Sequence, residues 1–325
     1  MISPEEFGAF TQEEQIARLQ QLGEKALAEF GVSPIEIKPL VHFENTTFYV
    51  KCAEGEFNLR ISRPGQQTLA TLESEIAFLH ALREHQFRVP EPYLGKVVTV
   101  ETQEVPEPRN VVLLRWMHGE FLRDRLTPKE ARLIGIVMAR LHEFAQTWKP
   151  PAGLERIHLH DWALQDRGVH RIDKPIEGLS EEDRRFVVDM DREARHALAK
   201  LEKSPLNYGL IHSDLHIGNI LLEGEELNVI DFDDTGYGFL YYDFAAALAF
   251  HLNEERYEAI QEAMLEGYES IRPLPPQTID FLPLFLRIRL GGVSRWILDR
   301  VDNPSLREVG PGWVHHFCQG LRKRS

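Results

Sequence analysis

The stretch His212-Ser213-Asp214-Leu215-His216-Ile217-Gly218-Asn219 is followed twelve residues later by Asp231, which ends the apolar run Leu227-Asn228-Val229-Ile230-Asp231. The octapeptide follows a short β-type run, Tyr208-Gly209-Leu210-Ile211, and precedes a hairpin, so it reads as a loop. The spacing is expected to bring one carboxylate, one amide and a second carboxylate within reach of a single point. Phosphoryl transfer from a nucleotide needs that trio: one Asp to accept the proton of an attacking hydroxyl, an Asn and another Asp to hold magnesium against the phosphates. Asp214 is accordingly the candidate catalytic base, and its task is mainly positioning, because the transition state is loose. Asn219 and Asp231 offer the oxygen ligands that magnesium prefers, and one ion would bridge them.

Glu75 also points to a phosphate site. Leu72 at i−3 and Leu79 at i+4 place its carboxylate on the inward stripe of a helix that also carries Leu69, Ile76 and Leu82. An inward charge requires a partner. Arg60, inward in Leu59-Arg60-Ile61, is the expected one, and a basic group held there would reach the α- and β-phosphates. The plainer alternative is a buried ion pair with no ligand; beside Asp214, Asn219 and Asp231 the phosphate clamp is favoured.

Around these residues the chain divides into a β-rich third and a helical remainder. Ile16, Leu19, Leu22, Ala26, Leu27 and Phe30 recur at helical spacing until Gly31, so residues 1–30 read as a helical brace. Residues 31–117 read as a mostly antiparallel meander with one embedded helix: strands near 35–38, 47–51 and 57–61, the Glu75 helix, a Val89-Pro90-Glu91-Pro92 breaker, and strands near 94–102 and 110–116. Residues 118–325 read as a larger unit holding the catalytic loop, metal and acceptor sites. Thr127-Pro128-Lys129-Glu130 is a capping box, Ser180 starts another helix, a hairpin over 220–230 turns at Glu223-Gly224-Glu225-Glu226, and four helical stretches follow near 243–252, 254–270, 279–301 and 313–322. Residues 148–178, with prolines, glycines and histidines but no periodicity, read as an insertion near a substrate entrance.

Bulk properties bound the function classes. With 325 residues the chain is long enough for two units with their own cores, and 43% hydrophobic and 27% charged residues are ordinary for a globular protein. A net charge of −14 argues against nucleic acid as a partner, which would require a basic face. Two distant cysteines, Cys52 and Cys318, lack metal-type spacing and suggest a reducing compartment. No run approaches membrane-spanning length, and Met1-Ile2-Ser3-Pro4-Glu5-Glu6 has no leader pattern, so a cytoplasmic protein without a membrane partner is expected.

The octapeptide, the segment Val229-Ile230-Asp231-Phe232-Asp233-Asp234 and the dipeptide Tyr242-Asp243 resemble motifs of the aminoglycoside phosphotransferase-like kinases, a group that includes choline kinases, type II homoserine kinases and a stress-linked bacterial Ser/Thr kinase. The resemblance covers nearly the whole chain after residue 30. It implies an α+β, protein-kinase-like, two-lobed fold, with ATP or GTP as phosphoryl donor and Mg2+ as cofactor. By that likeness Asp214 matches the catalytic base, Asn219 and Asp231 the metal ligands, Arg60 and Glu75 the ion pair over the phosphates, and Asp243 a buried carboxylate supporting the catalytic loop. Three departures stand out. Arg60 sits where many relatives carry Lys, and its rigid fork changes phosphate geometry. Asp233 takes the place of the glycine of the protein-kinase Asp-Phe-Gly motif. The nucleotide-covering turn His42-Phe43-Glu44-Asn45-Thr46-Thr47 has no glycine, leaving Asn45, Thr46 and backbone amides to cap the phosphates.

Competing readings attach to several residues. His212-x-Asp214-x-His216 alternates like zinc ligands, which would suit a hydrolase; the favoured reading packs His212 behind the loop as structural support and turns His216, with Asp233, towards substrate. Trp116 in Leu113-Leu114-Arg115-Trp116-Met117 marks either an adenine-facing linker or core. Arg287, Arg289, Arg295 and Arg300 read by default as a solvated helix face, with an acceptor carboxylate or phosphate as the alternative ligand. The expected activity is transfer of the γ-phosphate of ATP to a hydroxyl of a small molecule. A protein Ser/Thr acceptor, or a catalytically silent nucleotide-binding scaffold, is the alternative.

Overall fold

The structure, a computed structural model, describes residues 2–43, 45–65, 67–122, 126–159, 172, 174–300 and 304–324. Residues 160–171 and 173 of the 148–178 insertion therefore lie outside the described residues. The chain forms two compact units: one from residues 1–119, 149–156 and 228–233, the other from 120–148, 157–227 and 234–325.

The first unit is a five-stranded antiparallel sheet with two substantial helices. Its strands are β1 (Pro34–His42), β2 (Thr46–Cys52), β3 (Gly55–Ile61), β4 (Pro92–Val100) and β5 (Arg109–Arg115), in the order β1-β2-β3-β5-β4. Period-two alternation sends Phe48, Val50 and Cys52 inward from β2, and in register Phe48 faces Leu59 while Val50 faces Phe57 on β3. Helix α1 (Pro4–Gly8) escaped the sequence reading; α2 (Gln12–Glu29) buries Leu19, Leu22, Ala26 and Leu27 in the same cluster as Phe48, Val50, Phe57 and Leu59. The edge strand β1 carries Pro34 and Pro39, with a register shift after each, which disrupts the ladder a second chain would need. Helix α3 (Leu69–Glu84), capped by the Thr68 hydroxyl, buries Leu72, Glu75, Ile76, Leu79 and Leu82 of the expected stripe, while Leu69 in its first turn is exposed.

The segment 228–233 is fastened to this unit along its length. Val229 N donates to Arg88 O at 2.9 Å, Arg88 Nε donates to Asn228 Oδ1 at 2.6 Å, and the Phe232 ring meets Phe78 edge-on at 6.2 Å. Arg156 spreads its fork over three carbonyls, Thr71 (3.0 Å), Phe232 (3.0 Å) and Asp233 (2.7 Å), and so ties the segment to the start of α3.

The second unit is mainly helical: α4 (Pro128–Thr147), α5 (Glu181–Leu198), α6 (Tyr241–Leu248) with a 3-10 turn Ala249–His251, α7 (Tyr257–Glu269), α8 (Thr278–Leu298) and α9 (Pro304–Lys323). Both parts of the Thr127–Glu130 capping box are made. Among short strands, β7 (Tyr208–Ile211) pairs antiparallel with β10 (Gly236–Phe239), and β8 (Ile220–Glu223) lies between β6 (Glu120–Phe121) and β9 (Glu226–Val229). The two-residue β6 and the glycine-rich β10 are too short or too irregular for a periodicity signal. Among the described residues no helix is long and apolar enough to cross a membrane.

Helices α4 and α7 approach at paired glycines. A Cβ at Gly135 would lie 2.0 Å from Met264 O, and one at Gly267 2.1 Å from Arg132 O. Backbone oxygens cannot rotate away, so Gly135→Ala is expected to lower unfolding free energy by about 2 kcal/mol or more, as overpacking does. Gly292, inside α8, has nothing within 4 Å of its built Cβ. Gly292→Ala should instead stabilise by up to ~1 kcal/mol through helix propensity. Urea unfolding of both variants checks the pair; a neutral Gly135→Ala would mean that the helices can separate without cost.

Candidate active site

In the second unit the octapeptide runs from the end of β7 into a 3-10 turn, Ile217–Asn219, capped by the His216 ring, whose Nδ1 accepts from Gly218 N at 2.9 Å. The turn swings Asn219 back onto Asp214: its Nδ2 donates to Asp214 O at 2.9 Å and Asp214 Oδ2 at 3.0 Å. His216 Nε2 lies 3.4 Å from the same Oδ2, and Arg289, from α8, donates to Oδ1. Burial alone would raise the Asp214 pKa, but the Arg289 guanidinium and the His216 and His212 imidazoles outweigh it and hold the carboxyl well below the usual carboxylate range. Asp214 is thus anionic and oriented at both oxygens.

The backbone of this loop hangs on one buried carboxylate. Asp243, from the first turn of α6, accepts His212 N at Oδ2 (3.1 Å) and Ser213 N at Oδ1 (2.8 Å). His142 Nε2 from α4 adds a third bond to Oδ2 at 3.0 Å, and its Nδ1 meets the Tyr268 hydroxyl of α7, also at 3.0 Å. Burial pushes the Tyr268 phenol up, so it remains a donor and the imidazole gives its N–H to Asp243. The Asp243 and His142 side chains are fully buried. Ser213 pivots there at φ 74°, a left-handed conformation that costs a non-glycine residue about 1–3 kcal/mol. His212 is buried and its Nδ1 accepts from Asp214 N at 3.3 Å, so both imidazoles of the zinc-like pattern have Nδ1 committed to local backbone.

In the first unit Arg60 Nη2 meets Glu75 Oε2 at 2.5 Å, with side chains 4% and 2% exposed. Burial opposes the Arg60 charge, but the Glu75, Asp233 and Asp231 carboxylates reverse that and strengthen it. Asp231 Oδ1 is 3.9 Å from Arg60 Nη1; the Asp231 side chain is 45% exposed and its φ is 66°. Arg60 Nε and Glu75 Oε1 are buried and, among the described residues, lack hydrogen-bond partners. In the turn before β2, Asn45 Nδ2 donates to Asp233 Oδ2 at 2.8 Å and the Thr46 hydroxyl contacts His42 Nδ1 at 2.8 Å. Asp233 is thus engaged by Asn45, and its carbonyl by Gln67 and Arg156. Trp116 packs edge-on against Tyr49 at 5.1 Å.

The reading of the late arginines as a solvated face is overturned for two of them. The side chains of Arg289 and Arg295 are 11% and 13% exposed, and they pair with Asp214 and Asp191. Helix α8 buries Phe285, Leu286 and Leu290, so its charged residues are drawn inward with the apolar ones. Phe285 at i−4 and Leu286 at i−3 of Arg289 carried the same signal that located Glu75. Arg287, 34% exposed and 3.6 Å from Glu193, fits the surface reading, and Arg300 is partly exposed with its guanidinium 5.0 Å from the Trp296 ring centre. A pocket with about 550 Å3 of space, including open solvent, is lined in the second unit by residues of α5, α8 and β10 together with Tyr242.

Asp243→Ala removes acceptors for two backbone N–H groups and one imidazole, all buried. The expected loss is about 3–5 kcal/mol of stability, the scale for breaking a buried charged network. Guanidinium unfolding measures it, and a loss under about 1 kcal/mol would show the loop held by other means.

Residues 36–277 match the phosphotransferase enzyme family. A homoserine kinase of Agrobacterium fabrum (strain C58) is 31% identical over 200 residues, 59% of this chain and 58% of that enzyme. Among solved structures, a microcompartment-associated aminopropanol kinase superposes with a TM-score of 0.79 at 29% identity, over 92% of this chain and 95% of that one. An amicoumacin kinase in complex with AMP-PNP, Ca2+ and Ami has a TM-score of 0.78 at 19% identity, over 97% of each chain. With an antiparallel-sheet unit and a helical unit of protein-kinase-like type, this chain belongs to the phosphotransferase enzyme family, the kinases of small hydroxyl-bearing molecules.

Proposed function

We propose that this phosphotransferase moves the γ-phosphate of ATP to the hydroxyl of a small polar alcohol, with Asp214 as the base and Mg2+ as the cofactor. The observation that carries the reading is the Asp214 carboxylate itself: ionised, gripped at Oδ1 by Arg289 and at Oδ2 by Asn219, on a backbone suspended from Asp243. Such a group orients an acceptor O–H and takes its proton at Oδ2 as the new bond forms between the acceptor oxygen and the γ-phosphorus. The bond from that phosphorus to the β–γ bridging oxygen breaks, ADP leaves, and the proton passes to solvent.

The residues present fit magnesium. Asn219 gives its amide nitrogen to Asp214, which leaves its carbonyl oxygen to serve a cation, and Asp231 supplies a half-exposed carboxylate. Bound there, the ion would neutralise phosphate charge and orient the γ-phosphate. Arg60, fixed by Glu75, would hold the α- and β-phosphates through the guanidinium edge that carries its orphaned Nε. Asn45, Thr46 and the backbone amides beside them would close over the nucleotide. Asp243 and His212 would act as supports, and His216 would face the acceptor. The names of the relatives, homoserine kinase and aminopropanol kinase, favour a compact alcohol over a polysaccharide or a protein.

Asp231→Ala and Asp214→Asn are each expected to lower kcat by at least about 10²–10⁴-fold while leaving the melting temperature within a few degrees. Asn219→Ala should raise the magnesium concentration needed for half-maximal rate. Steady-state ADP release, titrated with magnesium, reads all three. Near-normal turnover by Asp231→Ala would contradict the metal assignment.

A further inference from the structure

Two carboxylates of the second unit are already occupied by arginines. Asp214 Oδ1 is taken by Arg289. In the pocket lined in part by Tyr242 and Ile288, Asp191 Oδ2 accepts from Arg195 Nε at 2.8 Å and from Arg295 Nη1 at 2.7 Å. Arginines thus already neutralise both carboxylates, holding Oδ1 of Asp214 and Oδ2 of Asp191. The donor side is in the opposite state. Arg289 Nε is buried and meets no partner among the described residues, although it belongs to a permanent cation. Bound water or a ligand oxygen satisfies a buried N–H of this kind, and beside Asp214 the guanidinium fork can hold the carboxylate with one arm and a second oxyanion with another.

We infer that Arg289 is a specificity residue of the acceptor site: its cation, fixed beside Asp214 with a spare donor, selects alcohols that carry a carboxylate over alcohols whose only charge is an ammonium. The inference rests on the transfer reading above. The reacting hydroxyl must approach Asp214, so a substituent two or three carbons away passes within a few ångströms of the guanidinium. At that range in a partly buried site, exchanging a carboxylate for an ammonium shifts binding by at least about tenfold.

The test is a panel of matched three- and four-carbon primary alcohols ending in a carboxylate, a neutral hydroxyl or an ammonium, assayed for ADP release with Mg2+ and ATP. For the unaltered protein, kcat/KM of the carboxylate members should exceed that of the ammonium members by at least about tenfold. Arg289→Gln should lower kcat about 10²-fold by loosening Asp214, erase that preference, and leave KM for ATP within about twofold. Arg289→Lys keeps the charge without the fork and should recover the preference and part of kcat. Three results would each overturn the inference: an ammonium preference in the unaltered protein, no transfer to any carboxylate-bearing member, or an unchanged ratio in Arg289→Gln. If Arg289→Gln fails to fold, the unaltered protein and Arg289→Lys decide. Transfer to ammonium members alone sinks this inference and spares the phosphotransferase reading, whereas no ADP release with any member sinks both.

Discussion

The loop that carries Asp214 depends on one fully buried carboxylate, that of Asp243. An isolated carboxylate in that environment is prohibitively costly, so it is tolerated only because three donors converge on it: two backbone N–H groups and an imidazole that Tyr268 in turn keeps in the right tautomer. Helices α4, α6 and α7 therefore meet at one hydrogen-bonded chain, and the glycines that let α4 and α7 touch keep Tyr268 within reach of His142. The loop conformation that results is strained at Ser213, and the Asp243 bonds on either side of that residue are what sustain the strain.

The first unit solves a similar problem by different means. Asp231 also sits at positive φ, and its neighbours are held by a sequence of backbone contacts through Arg88 and Arg156 rather than by a buried carboxylate. Arg156 comes from the aperiodic 148–178 stretch, so that stretch contributes to holding the segment. Of the five non-glycine residues at positive φ among those described, Ser213 adjoins the candidate base in the second unit and Asp231 is a candidate metal ligand in the first.

How much of this could be read beforehand follows from the kind of signal each residue leaves. Long amphipathic helices and the alternating β2 and β3 strands announce themselves by period, and Glu75 announces itself by lying between Leu72 and Leu79 on a buried stripe. Asp243 leaves no such mark: it stands in Tyr241-Tyr242-Asp243-Phe244, apolar all round, and only resemblance to known kinases pointed to its task. His142 was hidden in the same way inside the apolar face of α4. Arg289 was misjudged because a run of arginines on a helix is usually solvated, while its apolar neighbours at i−3 and i−4 argued the reverse. Asp233 was expected to face substrate, yet Asn45 holds it, a pairing of residues 188 apart that no local pattern encodes.

The proposed activity is transfer of a phosphoryl group to an alcohol. Phosphorus NMR of the purified protein with ATP, Mg2+ and the carboxylate-bearing alcohols tests that most directly. The expected spectrum shows ADP growing in step with a phosphomonoester resonance, both abolished by chelation of the metal. ATP that stays intact, or that yields ADP with inorganic phosphate alone in the presence of every acceptor, would contradict it.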